Sequence, residues 1–185
     1  MLDNPPVKLP DDKVCHARSL CEKGRWNEVL DFALNWQKSD PHEYRTLFYA
    51  AIGYAGVGHY AKAENAYRQA LQMNARDVKV WNNLGGLLFE HLHRPLDGIH
   101  CLEEALKLNP DNKLGWLNLA GMALKLGMPE RALDHAQHAL CLDPCLIEAL
   151  LCKAVAAKVL CKPEIVRDVC ESLSKIKIED FRPAR

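Results

Sequence analysis

No stretch of this 185-residue chain comes near the ~20 consecutive apolar residues that a membrane span requires, so insertion into a bilayer is not expected. An excess of one charge is missing as well. The 24 basic side chains balance 24 acidic ones for a formal net charge of +0, and no basic cluster stands out. Nucleic-acid binders draw much of their affinity from phosphate neutralisation by clustered Lys and Arg, so nucleic acid is not an expected partner. Met1-Leu2-Asp3-Asn4-Pro5-Pro6 has neither a basic start nor an apolar stretch, and no secretory signal is expected. The chain also lacks a glycine loop built to cradle phosphate, a nucleophile elbow and a zinc-protease motif. Carboxylate pairs such as Glu103-Glu104 fall on helical surfaces, where solvation is the default. The expectation is a non-enzymatic protein without a cofactor.

What is present is an ordinary soluble composition, 49% hydrophobic and 26% charged, on a chain long enough for one domain with a core. The 8 cysteines are expected as thiols in a reducing cytoplasm, because a disulfide scaffold would be shorter and poorer in long helices. Lys113 to Leu146 shows the organisation most clearly. Trp116, Leu119, Ala120 and Ala123 recur at helical spacing, Gly127-Met128-Pro129 interrupts, and Ala132, Ala136, Ala139 and Leu140 resume on one face. Small residues stand where two helices must approach closely, so the segment reads as a helical hairpin.

The same register runs along most of the chain. A small residue recurs as Ala17, Ala51, Gly85, Ala120 and Ala154, at intervals of 34, 34, 35 and 34. Each second helix opens at Trp26, Tyr60, Pro95, Pro129 or Pro163, and proline suits a first helical turn because its missing N–H costs nothing there. Asp40-Pro41, Asn74-Ala75, Asn109-Pro110 and Asp143-Pro144 stop one hairpin and cap the next. The predicted organisation is a mobile Pro-rich arm over 1–10, a cap at Asp11-Asp12, an array over 11–177 and a tail over 178–185. The hairpins fall at about 10–43, 44–77, 78–112, 113–146 and 147–177.

Trp81-x2-Leu84-Gly85 and Trp116-x2-Leu119-Ala120 carry the first half of a recognisable signature. Ala63-x3-Tyr67-x2-Ala70 and Ala132-x3-Ala136-x2-Ala139 carry the second. With a ~34-residue period kept over five units, the chain resembles the tetratricopeptide-repeat family. The departures are local. Lys13 stands where tryptophan is expected, and Cys161 replaces a turn glycine. The third hairpin has one extra residue before Pro95 and no turn glycine, so a distorted turn is expected around His91-Leu92-His93.

The resemblance implies an all-α, right-handed α-solenoid whose first helices line a concave, peptide-binding groove. Register then places Arg45, Tyr49, Ile52 and Gly56 there from the second hairpin. The third supplies Lys79, Asn82, Asn83, Gly86, Phe89 and Glu90, and the fourth Leu114, Leu117, Asn118, Gly121 and Lys125. Asn83 and Asn118 share one slot, where the family often bonds a peptide backbone through an amide. Gly86 and Gly121 would leave room for a ligand. The family's carboxylate clamp for chaperone tails is not matched, since Asn82, Gly86, Glu148 and Cys152 stand at its other positions. The implied role is an adaptor or scaffold holding a peptide or helix segment of another protein. A self-assembling homo-oligomer and a cytosolic chaperone for a secreted or assembled subunit are the alternatives. His135, His138, Cys141 and Cys145 have spacing that could gather zinc ligands. A bland surface is the expected reading of them, and no metal is assigned.

Overall fold

The computed structural model describes residues 12–180, with side chains placed through residue 176. The arm over 1–10, the cap at Asp11 and tail residues 181–185 lie outside the described residues. Ten helices follow in series: α1 Asp12–Glu22, α2 Trp26–Ser39, α3 Tyr44–Gly56, α4 Tyr60–Met73, α5 Val78–Glu90, α6 Pro95–Leu108, α7 Lys113–Lys125, α8 Pro129–Leu142, α9 Ile147–Val159 and α10 Pro163–Asp180. They pair as five helical hairpins, an all-α solenoid repeat, and no strand occurs among the described residues. The last helix continues three residues past the limit of 177 drawn from the sequence. Among the described residues no helix is long and apolar enough to cross a membrane.

Second helices begin where the repeat put them. Pro95 and Pro129 occupy the first turn of α6 and α8. Between hairpins the same device recurs. Asn74, Asn109 and Asp143 each accept, through Oδ1, the backbone N–H two residues on, at 3.2, 3.1 and 3.1 Å. A short polar side chain thereby supplies the turn's hydrogen bond and frees the chain to reverse.

Within each hairpin the small residues are crossing points. Ala17, Ala51, Ala63, Ala120 and Ala132 are all 0% exposed. The third hairpin is tighter, because a Cβ added at Gly85 would lie 2.9 Å from the Gly98 carbonyl oxygen and the reverse distance is 2.8 Å. Backbone meets backbone there. Gly24, Gly58 and Gly127 turn the chain at φ +66, +85 and +70. His93 and Cys161 hold the equivalent place with φ 53 and 55, so these turns keep a left-handed conformation without glycine. The extra residue of the third hairpin is absorbed in its turn. Closing backbone bonds run from Arg25 to Leu20, His59 to Tyr54, Met128 to Ala123 and Lys162 to Ala157, but from Arg94 to Leu88 in that hairpin. The loop is wider by one residue, as the insertion requires.

The chain divides into two compact units, one ending at Val80 and one beginning at Trp81. The core of the first gathers Leu20, Val29, Ala33, Trp36 and Tyr49. Lys13, in the tryptophan slot, sends its ammonium to 5.6 Å from the Trp36 ring centre. In the second unit, Leu102, Leu106, Leu119 and Met122 form one cluster, while Leu140, Ala149, Leu150 and Val169 lie in another.

Candidate functional site

The expected groove residues of the first unit are mostly engaged already. Tyr49 is only 7% exposed. Its ring stacks on Trp36 at 6.3 Å and meets Phe48 edge-on at 5.2 Å, and burial pushes its hydroxyl pKa up. Tyr49, expected in the groove, packs in the core cluster of this unit against the Trp36 ring of α2. Ile52 is half-buried against the same cluster. Gly56 offers no clearance, since a Cβ there would fall 2.3 Å from the Trp26 ring. Arg45 is held by Glu43 through Nε–Oε1 and Nη2–Oε2 contacts of 2.8 and 2.6 Å, and this hydrogen bonding holds the Glu43 carboxyl below its usual range. Lys79 lies in the first turn of α5, where its backbone N–H donates to the Asp77 carboxylate at 2.8 Å.

The second unit is more open. Asn83 on α5 and Asn118 on α7 are exposed, and a Cβ at Gly86 or Gly121 would meet nothing within 4 Å. Asn82 is half-buried, with an Oδ1 that is buried and has no hydrogen-bond partner. Phe89 is half-buried, and Lys125 Nζ lies 5.7 Å from its ring centre. The same ammonium bonds both Glu90 carboxylate oxygens at 2.6 and 2.7 Å, joining α7 to α5. Structure thus brings Phe89, Glu90 and Lys125 together, and the charges of Glu90 and Lys125 neutralise one another. Leu114 is 54% exposed, whereas Leu117 is half-buried and packs toward Leu140 and Ala149.

Three residues absent from the sequence reading complete this face. Leu151, Val155 and Val159 on α9 are 51%, 51% and 63% exposed, and Ile147 at the start of the helix is 44% exposed. They stand 34 residues beyond Leu117, Gly121 and Lys125, so the repeat register already pointed to them. An aliphatic stripe at spacing i, i+4, i+8 stands open on one helix.

The His/Cys set has other contacts. His138 stacks on Trp116 at 4.5 Å and 21°, with His135 at 5.7 Å from the same ring. His135 Nδ1 is buried without a partner, and desolvation, with His138 second, pushes the imidazole pKa down. Cys141 accepts a 3.7 Å bond from Gln137, and Cys145 donates its N–H to Asp143. Among the described residues no group of three or more His, Cys, Asp or Glu side chains is placed to hold a metal. No disulfide joins the 8 cysteines.

Comparison with known proteins places this geometry. The tetratricopeptide-repeat family model matches residues 50–92 and 91–144, half of the chain. A curated relative, the DnaJ homolog subfamily C member 7 homolog of Schizosaccharomyces pombe, is 31% identical over 129 residues, which are 60% of this chain and 27% of that protein. The chain thus spans about a quarter of that relative's length. Among solved structures, MamA superposes with a TM-score of 0.76 at 17% identity, over 90% of this chain and 97% of that one. YrrB, described as a TPR protein with an unusual peptide-binding site, superposes with a TM-score of 0.66 at 18% identity, over 89% and 84%. At such identity these likenesses establish the fold alone. With its helical hairpins, its small-residue crossings and the family match across its centre, the chain belongs to the tetratricopeptide-repeat family, whose members serve as protein–protein interaction scaffolds.

Proposed function

We propose that the chain is a non-enzymatic, cytoplasmic adaptor that holds a segment of a partner protein on the first-helix face of α5, α7 and α9. The observation that carries this reading is the exposed aliphatic stripe Leu151, Val155 and Val159 of α9, together with the exposed Leu114 of α7. Apolar surface concentrated on one helix face marks an interaction site more often than scattered exposure does. Asn83 and Asn118 supply amides able both to donate to and to accept from a peptide backbone. Gly86 and Gly121 leave the clearance such a segment needs. The peptide-binding site described for YrrB supports the class of ligand, although that likeness by itself concerns only the fold. An affinity in the micromolar range, about −8 kcal/mol, suits a contact of this kind.

The test compares three forms of the full chain as bait: wild type, Asn83→Ala/Asn118→Ala, and Leu151→Asp/Val155→Asp. Retained proteins are identified by mass, and folding is checked by circular dichroism. A partner held by wild type and lost from both folded variants is the expected result. A partner retained equally by all three removes the face from the mechanism. Wild type capturing only its own chain, with a dimer mass in solution, replaces the adaptor reading by self-assembly.

A further inference from the structure

Two gaps in the fold occupy the same place in different repeats. One lies between α2 and α4 above α3, and the other lies between α6 and α8 above α7. Eight of the nine residues lining the first have counterparts, 69 residues on, that line the second. The volumes nevertheless differ, at about 200 and about 580 Å³.

One position contributes to the difference. In the first gap Tyr54 rises from α3, with Lys62 Nζ 5.7 Å from its ring centre and His59 at 6.5 Å. In the second, the counterpart of Tyr54 is Ala123, that of Lys62 is Arg131, and that of His59 is Met128; all three line the larger cavity. The repeat keeps a cation at the rim and removes the ring beneath it. The walls that remain, Ile99, Trp116, Leu119 and Met128, are apolar or aromatic. Such a cavity is of the size and character that bind organic groups.

We propose that the cavity between α6 and α8 receives an aromatic side chain of a partner protein, seated on Ala123 beneath Arg131 as Tyr54 sits beneath Lys62. A cation facing an aromatic ring favours that class of group over an aliphatic one of equal size. The rest of the rim, Glu103, Lys107 and Asp134, carries both signs of charge. A mixed rim of that kind suits the polar backbone and flanking residues of a polypeptide. Trp116, Leu119 and Ala123 lie on the opposite side of α7 from Leu114, Asn118 and Gly121, so this site stands apart from the adaptor face.

The full chain, labelled with ¹⁵N, is titrated with p-cresol, with its saturated analogue 4-methylcyclohexanol, and with a blocked Ala-Tyr-Ala tripeptide. The readout is the indole N–H resonance of Trp116. The expected result is a saturable shift with p-cresol and with the tripeptide, and binding of the saturated analogue about fivefold weaker. Ala123→Tyr, which restores the missing ring, abolishes all three responses and raises Tm. Arg131→Gln, at an exposed position that leaves the fold intact, removes the preference for p-cresol and serves if Ala123→Tyr does not fold. No saturable shift, equal affinity for the two alcohols, or undiminished binding by folded Ala123→Tyr overturns the proposal. So does a cavity that takes p-cresol and refuses the tripeptide, which would assign it to a free small molecule.

Discussion

The first-helix faces of α3 and α9 derive from one repeat and have opposite fates. On α3, Tyr49 is 7% exposed and Arg45 is locked to Glu43. On α9, Cys152, the counterpart of Tyr49, is half-buried, while Leu151 and Val155, the counterparts of Phe48 and Ile52, are both 51% exposed. The difference arises in the neighbouring helix. The Trp36 ring of α2 gives α3 an aromatic surface to close over, and α3 supplies Tyr49 in return. Leu151 and Val155 are aliphatic, and among the described residues neither is covered beyond about half. Register alone therefore places a residue on a helix, while its neighbours decide whether it becomes core or contact.

The comparison is broken most readily at Tyr49. Tyr49→Ala is expected to destabilise the chain by about 3 kcal/mol, whereas Leu151→Ala should stay within about 0.5 kcal/mol. Denaturant unfolding reads both, and equal costs would mean that the two faces are alike. A smaller effect belongs to the turns. His93→Gly and Cys161→Gly relieve left-handed backbone in the second unit and should each stabilise by roughly 1 kcal/mol, while Gly58→Ala in the first should destabilise by a similar amount. Thermal unfolding that moves in the wrong direction at His93 would show its side chain to be needed for more than the turn.

Acid sharpens the contrast. Burial, then His138 and Arg131, lower the His135 pKa, against the opposing Asp134 and Glu103. As pH falls below about 6.5 the unfolded chain takes the proton first, so the stability associated with His135 declines from there to its folded pKa and is constant beneath it. The counterpart in the first unit is Ala66, which cannot titrate. Hydrogen exchange should show the second unit loosening over that window, and His135→Gln should remove the step. The smallest effect concerns Glu90 and Lys125. Their side chains are 48% and 57% exposed, and a double-mutant cycle should return a coupling of about 0.2–1 kcal/mol that fades with salt.

Much of this fold was legible from the spacing of Ala17, Ala51, Gly85 and Ala120, because a helix crossing tolerates only small residues and so imprints its period on the chain. Prolines at Pro95 and Pro129 were equally readable, since a first helical turn is where the ring fits. The packing of Tyr49 was not, because it depends on Trp36 in another helix. Leu151, Val155 and Val159 were within reach of the register, yet they sit in the hairpin whose other markers have decayed. The gap above Ala123 was beyond reading in one repeat at a time. It appears only when Tyr54 is set against its counterpart and three helices are considered together.

The bond between Lys125 and Glu90 has a kinetic consequence. Two charges on the open face of the second unit cancel at contact distance, on a chain whose total charge is also zero. A protein approaching that face meets little long-range field to orient it. Its arrival should follow unsteered diffusion, on the order of 10⁵–10⁶ M⁻¹s⁻¹, and should change little with ionic strength. Right and wrong partners would then collide at similar rates, and selection between them would fall to how long each remains.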